Sequence, residues 1–402
     1  MKIQTHIRPT CDTARVAFID QTSKMGGAEH SLLDIAKRRL VDRCRDRVIL
    51  FESGEFQRRL ESFGVDTVVC ALPSAASAVR RQSSIVRHVQ SLQALRTLGK
   101  RVAANAVDFD VLYANTMKAF VAGAMASRRS GMPLIFHLRD IVSAEHFSRS
   151  NRLVIRAMCR VAKRIHVIAN SSATADAMHE LVRQRVPIDV IHNGIDSVDH
   201  EKAFRLRDEH RRRLRTELSL DSTSRVIGVF GRLSNWKGQH LAIQALEHLP
   251  ECHLVIVGDA LFGEEDYRES LRRRVAEDGL EKRVHFLGHR HDVPELMQTC
   301  DLALHTSIAA EPFGRVVVEA MFARCPVVAA NAGGPAEIIQ HGQTGWLYEP
   351  GNVDQMVHAI GVALDQDDDG ISQRALIAAT ESFGIDKKVR EVSALVKEVV
   401  GK

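Results

Sequence analysis

The sequence predicts an α/β protein made of two doubly wound domains, each a parallel sheet with helices on both faces. Short apolar runs of strand length alternate with longer segments of helical periodicity, which is typical of parallel sheets. A charged segment at residues 199–217 interrupts this alternation, which then begins again. The 402 residues are enough for two separate cores. We therefore expect domains at residues 1–198 and 199–385, followed by a last helix at 386–402.

In the first half, buried apolar runs predict strands, and apolar residues at helical spacing predict helices. Ile85, Val89 and Leu92 show the helical spacing. The predicted strands cover residues 15–20, 48–52, 67–71, 111–114, 133–137, 164–169 and 189–191. The predicted helices cover residues 28–40, 80–104 and 149–164, and Ser171 or Ser172 caps a further one.

The second half repeats the pattern with the same signals. Its predicted strands cover residues 226–230, 253–257, 284–287, 302–305 and 327–330. Its predicted helices begin after Gln239 and cover residues 265–278, 293–299, 314–323 and 386–401.

The composition is that of a globular protein, with 45% hydrophobic and 26% charged residues. No apolar run approaches the roughly 18 residues that span a bilayer, and the N-terminus lacks the apolar core of a signal peptide. We therefore expect a cytoplasmic protein. The seven cysteines include no C-x-x-C pair, and the histidines lack metal-ligand spacing. These patterns predict neither a disulfide framework nor a metal site.

The N-terminal half is basic. Residues 1–200 contain 30 Lys and Arg against 19 Asp and Glu, whereas the remainder contains 25 against 31. Arg152, Arg156, Arg160 and Arg164 follow one another at a spacing of four, which predicts a basic stripe on one helix. The stripe is either a solvated face or a docking surface for an anionic acceptor or the inner face of a membrane. Only 5% of the residues are aromatic and no nucleic-acid motif is present, so we expect no nucleic-acid partner.

Residues 311–321 join a lead-in marked by proline and glycine to an apolar helix start. Pro312 is tolerated in the first turn of a helix, and Gly314 lets the backbone approach a ligand closely. The N–H groups at the start of a helix attract anions, so this segment predicts a phosphate site. The N–H groups concerned belong to Phe313, Gly314, Arg315 and Val316.

Two acidic residues bracket this anion site. Glu311 precedes the helix, and Glu319 lies roughly 7–8 Å along its axis from Gly314. Glu319 is either one more solvated carboxylate or, because its neighbours are apolar, a buried carboxylate that needs a partner or ligand. A diphosphate with a sugar at each end fits the arrangement: one carboxylate would accept hydroxyls from one sugar, and the other from a ribose.

The spacing Glu311-x7-Glu319 with an intervening Pro-Phe-Gly resembles the signature of retaining GT-B glycosyltransferases, in particular glycosyltransferase family 4. The resemblance extends over five further segments: Gly26–Glu29, His192–Asp196, Gly231–Gln239, Gly258–Asp259 and Gly333–Gly345. It implies the GT-B architecture, in which two Rossmann-like domains face each other across a cleft. The N-terminal domain then takes the acceptor, the second domain binds the donor, and the last helix returns to the first domain.

The resemblance also implies an activity. It is the transfer of a hexosyl group, with retention of configuration, from a UDP- or GDP-sugar to an acceptor that the sequence does not identify. No metal and no cofactor are implied. Front-face attack, in which a donor phosphate oxygen receives the acceptor's proton, is implied in the same way. A nucleotide-sugar epimerase or hydrolase of the same fold is the alternative.

Two cations and a histidine are candidates for catalysis together with Glu311. Arg232 and Lys237 follow a buried strand and supply a planar fork and a point charge for phosphate oxygens. His137 ends a predicted strand, where polar groups face the ligand crevice of a parallel sheet. The resemblance implies that His137 touches the donor sugar, whereas a core histidine is the alternative.

For a few further positions the residues alone give only a weak signal. Gly26 and Gly27 lie between a strand and a helix, and in the family a similar loop contacts donor or acceptor. Arg290 is expected beside the nucleobase. Asp108 and Asp110 form an Asp-x-Asp, which holds a divalent cation in metal-dependent sugar transferases. We discount that role here because the pair directly precedes a strand, where Asp commonly ends a turn.

Overall fold

The computed structural model describes residues 14–22, 24–71, 85–183, 185–221, 223–260, 263–366 and 369–401. The chain forms two compact units. The first contains residues up to Asn170 together with Thr174–Gly194 and Ile385–Lys402, and the second contains Ser171–Ala173 and Ile195–Gly384. The main chain therefore changes unit at Gly194, slightly before the boundary placed at residue 198.

The first unit is built on a seven-stranded parallel sheet with the order β3-β2-β1-β4-β5-β6-β7. Its strands are β1 (Val16–Asp20), β2 (Arg47–Leu50), β3 (Asp66–Val69), β4 (Val111–Ala114), β5 (Leu134–Leu138), β6 (Ile165–Ala169) and β7 (Ile188–Val190). Phe18 of β1 aligns with Val48 on one side and with Tyr113 on the other. The strand order therefore reverses direction at β1, which is where a doubly wound sheet opens a crevice for ligands.

The second unit has a six-stranded parallel sheet with the order β10-β9-β8-β11-β12-β13. Its strands are β8 (Arg225–Phe230), β9 (Cys252–Val257), β10 (Val284–Gly288), β11 (Leu302–His305), β12 (Val327–Ala330) and β13 (Trp346–Tyr348). This is the order 3-2-1-4-5-6 of the Rossmann fold, with its switch point between β8 and β11.

The described helices are numbered here in chain order. They are α1 (Gly27–Val41), α2 (Glu55–Ser62), α3 (Ile85–Asn105), α4 (Met117–Ser130), α5 (Arg149–Val161), α6 (Ser172–Val182), α7 (Val198–Phe204), α8 (Arg207–Glu217), α9 (Gln239–Leu246), α10 (Glu265–Glu277), α11 (Val293–Thr299), α12 (Arg315–Phe322), α13 (Gly334–Ile338), α14 (Val353–Asp365), α15 (Asp369–Phe383) and α16 (Ile385–Gly401). Among them, none combines the length and the apolarity that a bilayer crossing requires.

One sequence prediction needs correction. The helix predicted at 149–164 ends at Val161, because Ala162 is extended and leads the chain into β6. Arg164 is therefore not part of the basic stripe, which keeps three arginines. The charged segment at 199–217 forms two helices that were not predicted, α7 and α8, whose His200, Ala203 and Leu214 are buried. Residues 80–84 of the predicted helix 80–104 lie outside the described residues.

Each sheet is buried on both faces. Along β1, Ala17 and Ile19 belong to one core, whereas Val16 and Phe18 belong to the core on the opposite face. A strand that is covered on both faces has a continuous run of apolar residues, which explains why these strands could be predicted from the sequence. The last helix, α16, contributes Val392 and Val396 to the second of these cores. It is thus an integral part of the first unit.

A buried ion pair joins the edges of this core. Arg39 of α1 and Asp46 have side chains that are 1% and 6% exposed, with Nε and Oδ2 2.6 Å apart. A second bond joins Arg39 Nη2 and Asp46 Oδ1 at 3.0 Å. Arg39 also donates to Ser393 Oγ of α16 and to the carbonyl of Ala14, each at 2.9 Å. One guanidinium therefore holds together α1, the start of β1 and the last helix.

We predict that Arg39→Gln lowers the free energy of unfolding by about 3–5 kcal/mol, because it leaves the buried Asp46 carboxylate without its charged partner. Arg38→Gln is the matched control at the next position. Its pair with Asp386 is 2.7 Å long but 41% and 53% exposed, so its loss should cost less than about 1 kcal/mol. Urea unfolding followed by circular dichroism compares the two variants. Equal losses would contradict a structural role for the buried pair.

Candidate active site

Glu311 lies in the loop between β11 and α12, and its side chain is 12% exposed. Its Oε2 atom accepts three hydrogen bonds: from Lys237 Nζ at 2.6 Å, from His305 Nε2 at 2.7 Å and from Ser307 Oγ at 3.0 Å. Within the described part of the chain, no donor reaches its second oxygen, Oε1. The carboxylate is thus anchored by one oxygen and presents the other.

The charge of Glu311 is set by these partners. Burial opposes its ionisation, but the nearby charge of Lys237 and the bond from His305 outweigh burial and hold the pKa of Glu311 well below its usual range. An ionised carboxylate only accepts hydrogen bonds. Oε1 is therefore suited to accept a bond from a hydroxyl group.

A glycine places Lys237 beside Glu311. The loop after β8 contains a short 3₁₀ turn at Asn235–Lys237 and then Gly238, whose φ is +69°. A Cβ atom at Gly238 would lie 2.1 Å from the carbonyl oxygen of Thr306. Thr306 Oγ1 in turn donates to the carbonyl of Lys237 at 2.6 Å. Only glycine allows this close approach, which brings a loop from β8 onto the segment that follows β11.

Arg232 lies in the same loop as Lys237, two residues after β8, as the sequence predicted. Its side chain is partly buried, and its carbonyl accepts a hydrogen bond from Gln239 Nε2 at 3.0 Å. Gln239 is the first residue of α9. The loop that contains both cations is therefore fixed at its two ends.

The start of α12 is held by a second glycine loop. Gly314 is the N-cap with φ +90°, so the helix begins at Arg315, one residue later than predicted. Gly334 donates its N–H to the carbonyl of Glu311 at 2.8 Å, and a Cβ atom at Gly333 would lie 2.2 Å from that same oxygen. The first turn of a helix leaves its N–H groups without acceptors inside the helix. The position of these N–H groups is therefore set by Gly314 and by the loop of Gly333 and Gly334.

Glu319 is neither solvated nor fully buried. Its Oε1 accepts from Arg315 Nε at 2.7 Å, and both side chains are 18% exposed. Val317 and Val318 beside it are buried, while Val316 is only partly so. The structure therefore places one acidic residue before the start of α12 and one inside the helix, each paired with a cation.

Arg290 is paired with two acidic side chains. Its Nε and Nη2 atoms each bind Asp292 at 2.8 Å, and Nη1 lies 3.4 Å from Glu217. The bond and charge of Asp292 raise the pKa of Arg290 further. The guanidinium therefore has two carboxylate partners, and its contact with a nucleobase stays a prediction.

His137, the last but one residue of β5, belongs to the first unit and is 1% exposed. Its Nδ1 atom lies 2.5 Å from Tyr113 Oη and 3.1 Å from Arg139 Nη2. Its Nε2 atom is buried and has no hydrogen-bond partner in the described residues. Burial, with the charges of Arg139 and Lys388, lowers the pKa of His137 well below its usual value. The ring is therefore neutral.

The two candidate glycines of the first unit lie at the start of α1, where Gly27 is the first residue of the helix. Gly26 is the N-cap of α1, and a Cβ atom there would lie 2.9 Å from Glu29 Oε2, whereas one at Gly27 would have no neighbour within 4 Å. Glu29 and Asp20 are buried, and burial raises the pKa of both carboxyl groups. Ser23, which precedes these glycines in the loop after β1, lies outside the described residues.

Several polar residues near Glu311 and near His137 were not predicted from the sequence. His305 is the last residue of β11 and Asn115 directly follows β4, so the rule that singled out His137 would have found them. Arg139 also follows its strand, β5, directly.

Asp110 of the Asp-x-Asp is bound within the first unit. It accepts hydrogen bonds from the backbone and the side chain of Arg15 at 2.7 Å and 3.3 Å.

Two family models match the chain. The model described as Glycosyltransferase Family 4 matches residues 25–198, and the model described as Glycosyl transferases group 1 matches residues 210–382. Together they cover both structural units.

A solved structure and two curated proteins show the same relationship. HepE of Anabaena, solved in complex with UDP and glucose, is 37% identical and has a TM-score of 0.82, over 96% of this chain and 99% of its own. The lipopolysaccharide core mannosyltransferase LpsB of Rhizobium meliloti is 27% identical over 58% of this chain and 66% of its own. A diphosphoundecaprenol galactosyltransferase of Escherichia coli is 23% identical over 80% of this chain and 82% of its own.

The chain spans between 52% and 66% of the length of four curated relatives that it matches, whereas it spans nearly all of HepE. The paired Rossmann-like sheets agree with the likeness to HepE. The chain therefore belongs to glycosyltransferase family 4 and has the GT-B fold.

Proposed function

We propose that this protein transfers a hexosyl group, with retention of configuration and without a metal ion, from a UDP-sugar to a hydroxyl acceptor. The observation that carries the proposal is the Glu311 carboxylate, anchored through Oε2 and open at Oε1, beside the start of α12. The choice of UDP over GDP is supported by HepE, which was solved with UDP and glucose.

We orient the donor along α12 from the charges and hydrogen-bonding groups of the residues there. Its diphosphate lies at the helix start, where Arg232 and Lys237 add positive charge. Glu311 Oε1 accepts a hydroxyl of the transferred sugar, and Glu319 accepts the ribose hydroxyls. Because the Arg290 side chain is paired with Asp292, the backbone at 287–290 is left to meet the base.

In the reaction, the bond between the anomeric carbon and the diphosphate oxygen breaks, and the leaving group takes the electron pair. Cations and helix N–H groups aimed at this developing charge are an effective form of catalysis. The acceptor oxygen bonds to the anomeric carbon from the same face, and its proton passes to a donor phosphate oxygen. Three donors on Oε2 make Glu311 a weak base, which favours this route over attack by the carboxylate.

A thermal-shift panel tests the donor class. A ligand that binds only the folded protein raises its melting temperature, so UDP and UDP-glucose should stabilise the protein more than GDP or ADP do. Release of free glucose or an epimer from UDP-glucose at turnover rates without acceptor would instead support a hydrolase or epimerase.

We predict that Glu319→Gln weakens UDP binding about ten- to a hundredfold, because the loss of a charged acceptor for ribose hydroxyls is worth about 1.5–3 kcal/mol. Glu311→Gln should bind UDP no more weakly than the original protein, since its partner is the sugar and Lys237 is released from the ion pair. It should nevertheless bind UDP-glucose more weakly. Isothermal calorimetry with UDP and with UDP-glucose measures all four affinities.

Glu269→Gln is the control for these variants, because it removes an exposed helical carboxylate that pairs with Arg268 at 3.2 Å. Its UDP affinity should be unchanged. If Glu311→Gln loses UDP affinity while Glu319→Gln keeps it, the donor runs along α12 in the opposite direction.

We further predict that His137→Ala lowers turnover of UDP-glucose much more than it weakens UDP binding, because the ring contacts the sugar and not the diphosphate. UDP release from UDP-glucose gives the rate, and calorimetry gives the affinity. His166→Ala is the control, since His166 is a second buried histidine of the first unit and bonds Asp189. Unchanged turnover in a folded His137→Ala protein would return His137 to a structural role.

The acceptor side of the proposal concerns α5. Arg152, Arg156 and Arg160 lie on this helix, and among the described residues only Arg152 has a carboxylate partner within 4 Å, Glu180 at 3.7 Å. Like charges at this spacing repel, so the stripe is costly without an anionic partner. We propose that it contacts an anionic acceptor or the surface of a membrane that carries one.

We predict that the protein binds vesicles with anionic lipids better than neutral vesicles at low salt, and that Arg156→Gln/Arg160→Gln weakens this binding. Arg128→Gln/Arg129→Gln is the charge-matched control, since both arginines are exposed at the end of α4. Co-sedimentation measures the bound fraction. Equal binding to both vesicle types would exclude the membrane and leave a soluble acceptor.

A further inference from the structure

We infer that Arg139 is a positioning residue that fixes the tautomer of His137. It holds the ring with its proton on Nε2, so that Nε2 is presented as a neutral hydrogen-bond donor. The inference rests on the proposed function only for the identity of the acceptor, which is an oxygen of the transferred sugar. The tautomer itself follows from contacts inside the first unit.

The first step concerns the atom that faces Arg139. His137 Nδ1 lies 3.1 Å from Arg139 Nη2, and a guanidinium only donates hydrogen bonds. Nδ1 must therefore accept. A neutral imidazole has one donor and one acceptor nitrogen, so the proton of His137 is on Nε2.

Tyr113 also favours the tautomer of His137 that has its proton on Nε2. Its Oη atom lies 2.5 Å from His137 Nδ1, and the two rings meet edge to face with centroids 5.7 Å apart. Burial raises the pKa of Tyr113, so the phenol keeps its proton and donates it to Nδ1. A phenol alone could also accept from a protonated Nδ1. The guanidinium of Arg139 excludes a protonated Nδ1, because it can only donate to that atom.

Arg139 is itself held in place by polar side chains from several elements. Its Nε donates to Asn115 Oδ1 at 2.8 Å, and its Nη1 donates to Asn193 Oδ1 at 2.6 Å and to Ser31 Oγ at 3.0 Å. Asn115 donates in turn to Asp20 at 2.5 Å. Asn115 and Asn193 follow β4 and β7, Asp20 is the last residue of β1, and Ser31 lies on α1. The network fixes the guanidinium at the carboxyl edge of the sheet.

The remaining donor points to a ligand. His137 Nε2 is buried and lacks a partner among the described residues, although a buried donor without an acceptor is destabilising. A ligand oxygen would supply the missing acceptor. The network therefore orients one N–H group for a partner that the described residues do not provide.

The test is nitrogen NMR of the protein labelled with ¹⁵N-histidine, with His137→Gln used to assign the ring. In the resting protein at neutral pH, His137 should show a protonated Nε2 and an unprotonated Nδ1. Arg139→Met, which removes the donors but keeps side-chain length, should shift the ring toward a protonated Nδ1. Arg139→Lys should restore the Nε2–H form, and Tyr113→Phe should retain it.

The same variants give a functional readout. Arg139→Met should slow UDP release from UDP-glucose about ten- to a hundredfold, as expected for the loss of one well-placed hydrogen bond, while UDP affinity by calorimetry stays within about twofold. A protonated Nδ1 or a charged ring in the original protein would overturn the inference, whether or not Arg139→Met folds. Failure of UDP to bind the original protein would instead overturn the proposed function and leave the tautomer result standing.

Discussion

Burial of the Glu311 carboxylate is the constraint around which the loops of the second unit are arranged. A buried charge is destabilising without a partner, and Glu311 has three donors on one oxygen. His305 is the last residue of β11 and Ser307 lies just after it, whereas Lys237 comes from the loop after β8. That loop reaches Glu311 only because Gly238 allows contact with the Thr306 carbonyl. The cation, the acid and the helix start are thus positioned together.

The first unit has its own network of polar side chains at the carboxyl edge of its sheet. Its parallel sheet brings the ends of β1, β4 and β5 to one edge, where Asp20, Asn115 and Arg139 form a connected network. The charge of Arg139 helps to keep His137 neutral, so the ring is a donor that carries no charge. The same edge of a doubly wound sheet therefore supports an ionic site in one unit and a neutral donor in the other.

The sequence predicted buried strands well because a strand covered on both faces is a continuous apolar run. The predicted bounds of β4, β11 and β12 match the structure. The helices α7 and α8 were not predicted, because few of their residues are apolar enough to show a buried face. The pairing of Lys237 with Glu311 was not predictable, since the two residues are 74 positions apart and spacing does not report tertiary contacts.

The two acids beside the helix start are both paired with cations before any donor binds, Glu311 with Lys237 and Glu319 with Arg315. Under the proposed function, a diphosphate competes with Glu311 for Lys237, and ribose hydroxyls compete with Arg315 for Glu319. Binding then exchanges one set of partners for another, so the net gain from each cation is smaller than its contact with phosphate suggests. A sugar hydroxyl then offsets the loss of the cation at each carboxylate, and at Glu311 it does so through Oε1. The donor is therefore recognised as a whole, because the phosphate contact alone removes the charged partner of Glu311 and leaves only His305 and Ser307 as its donors.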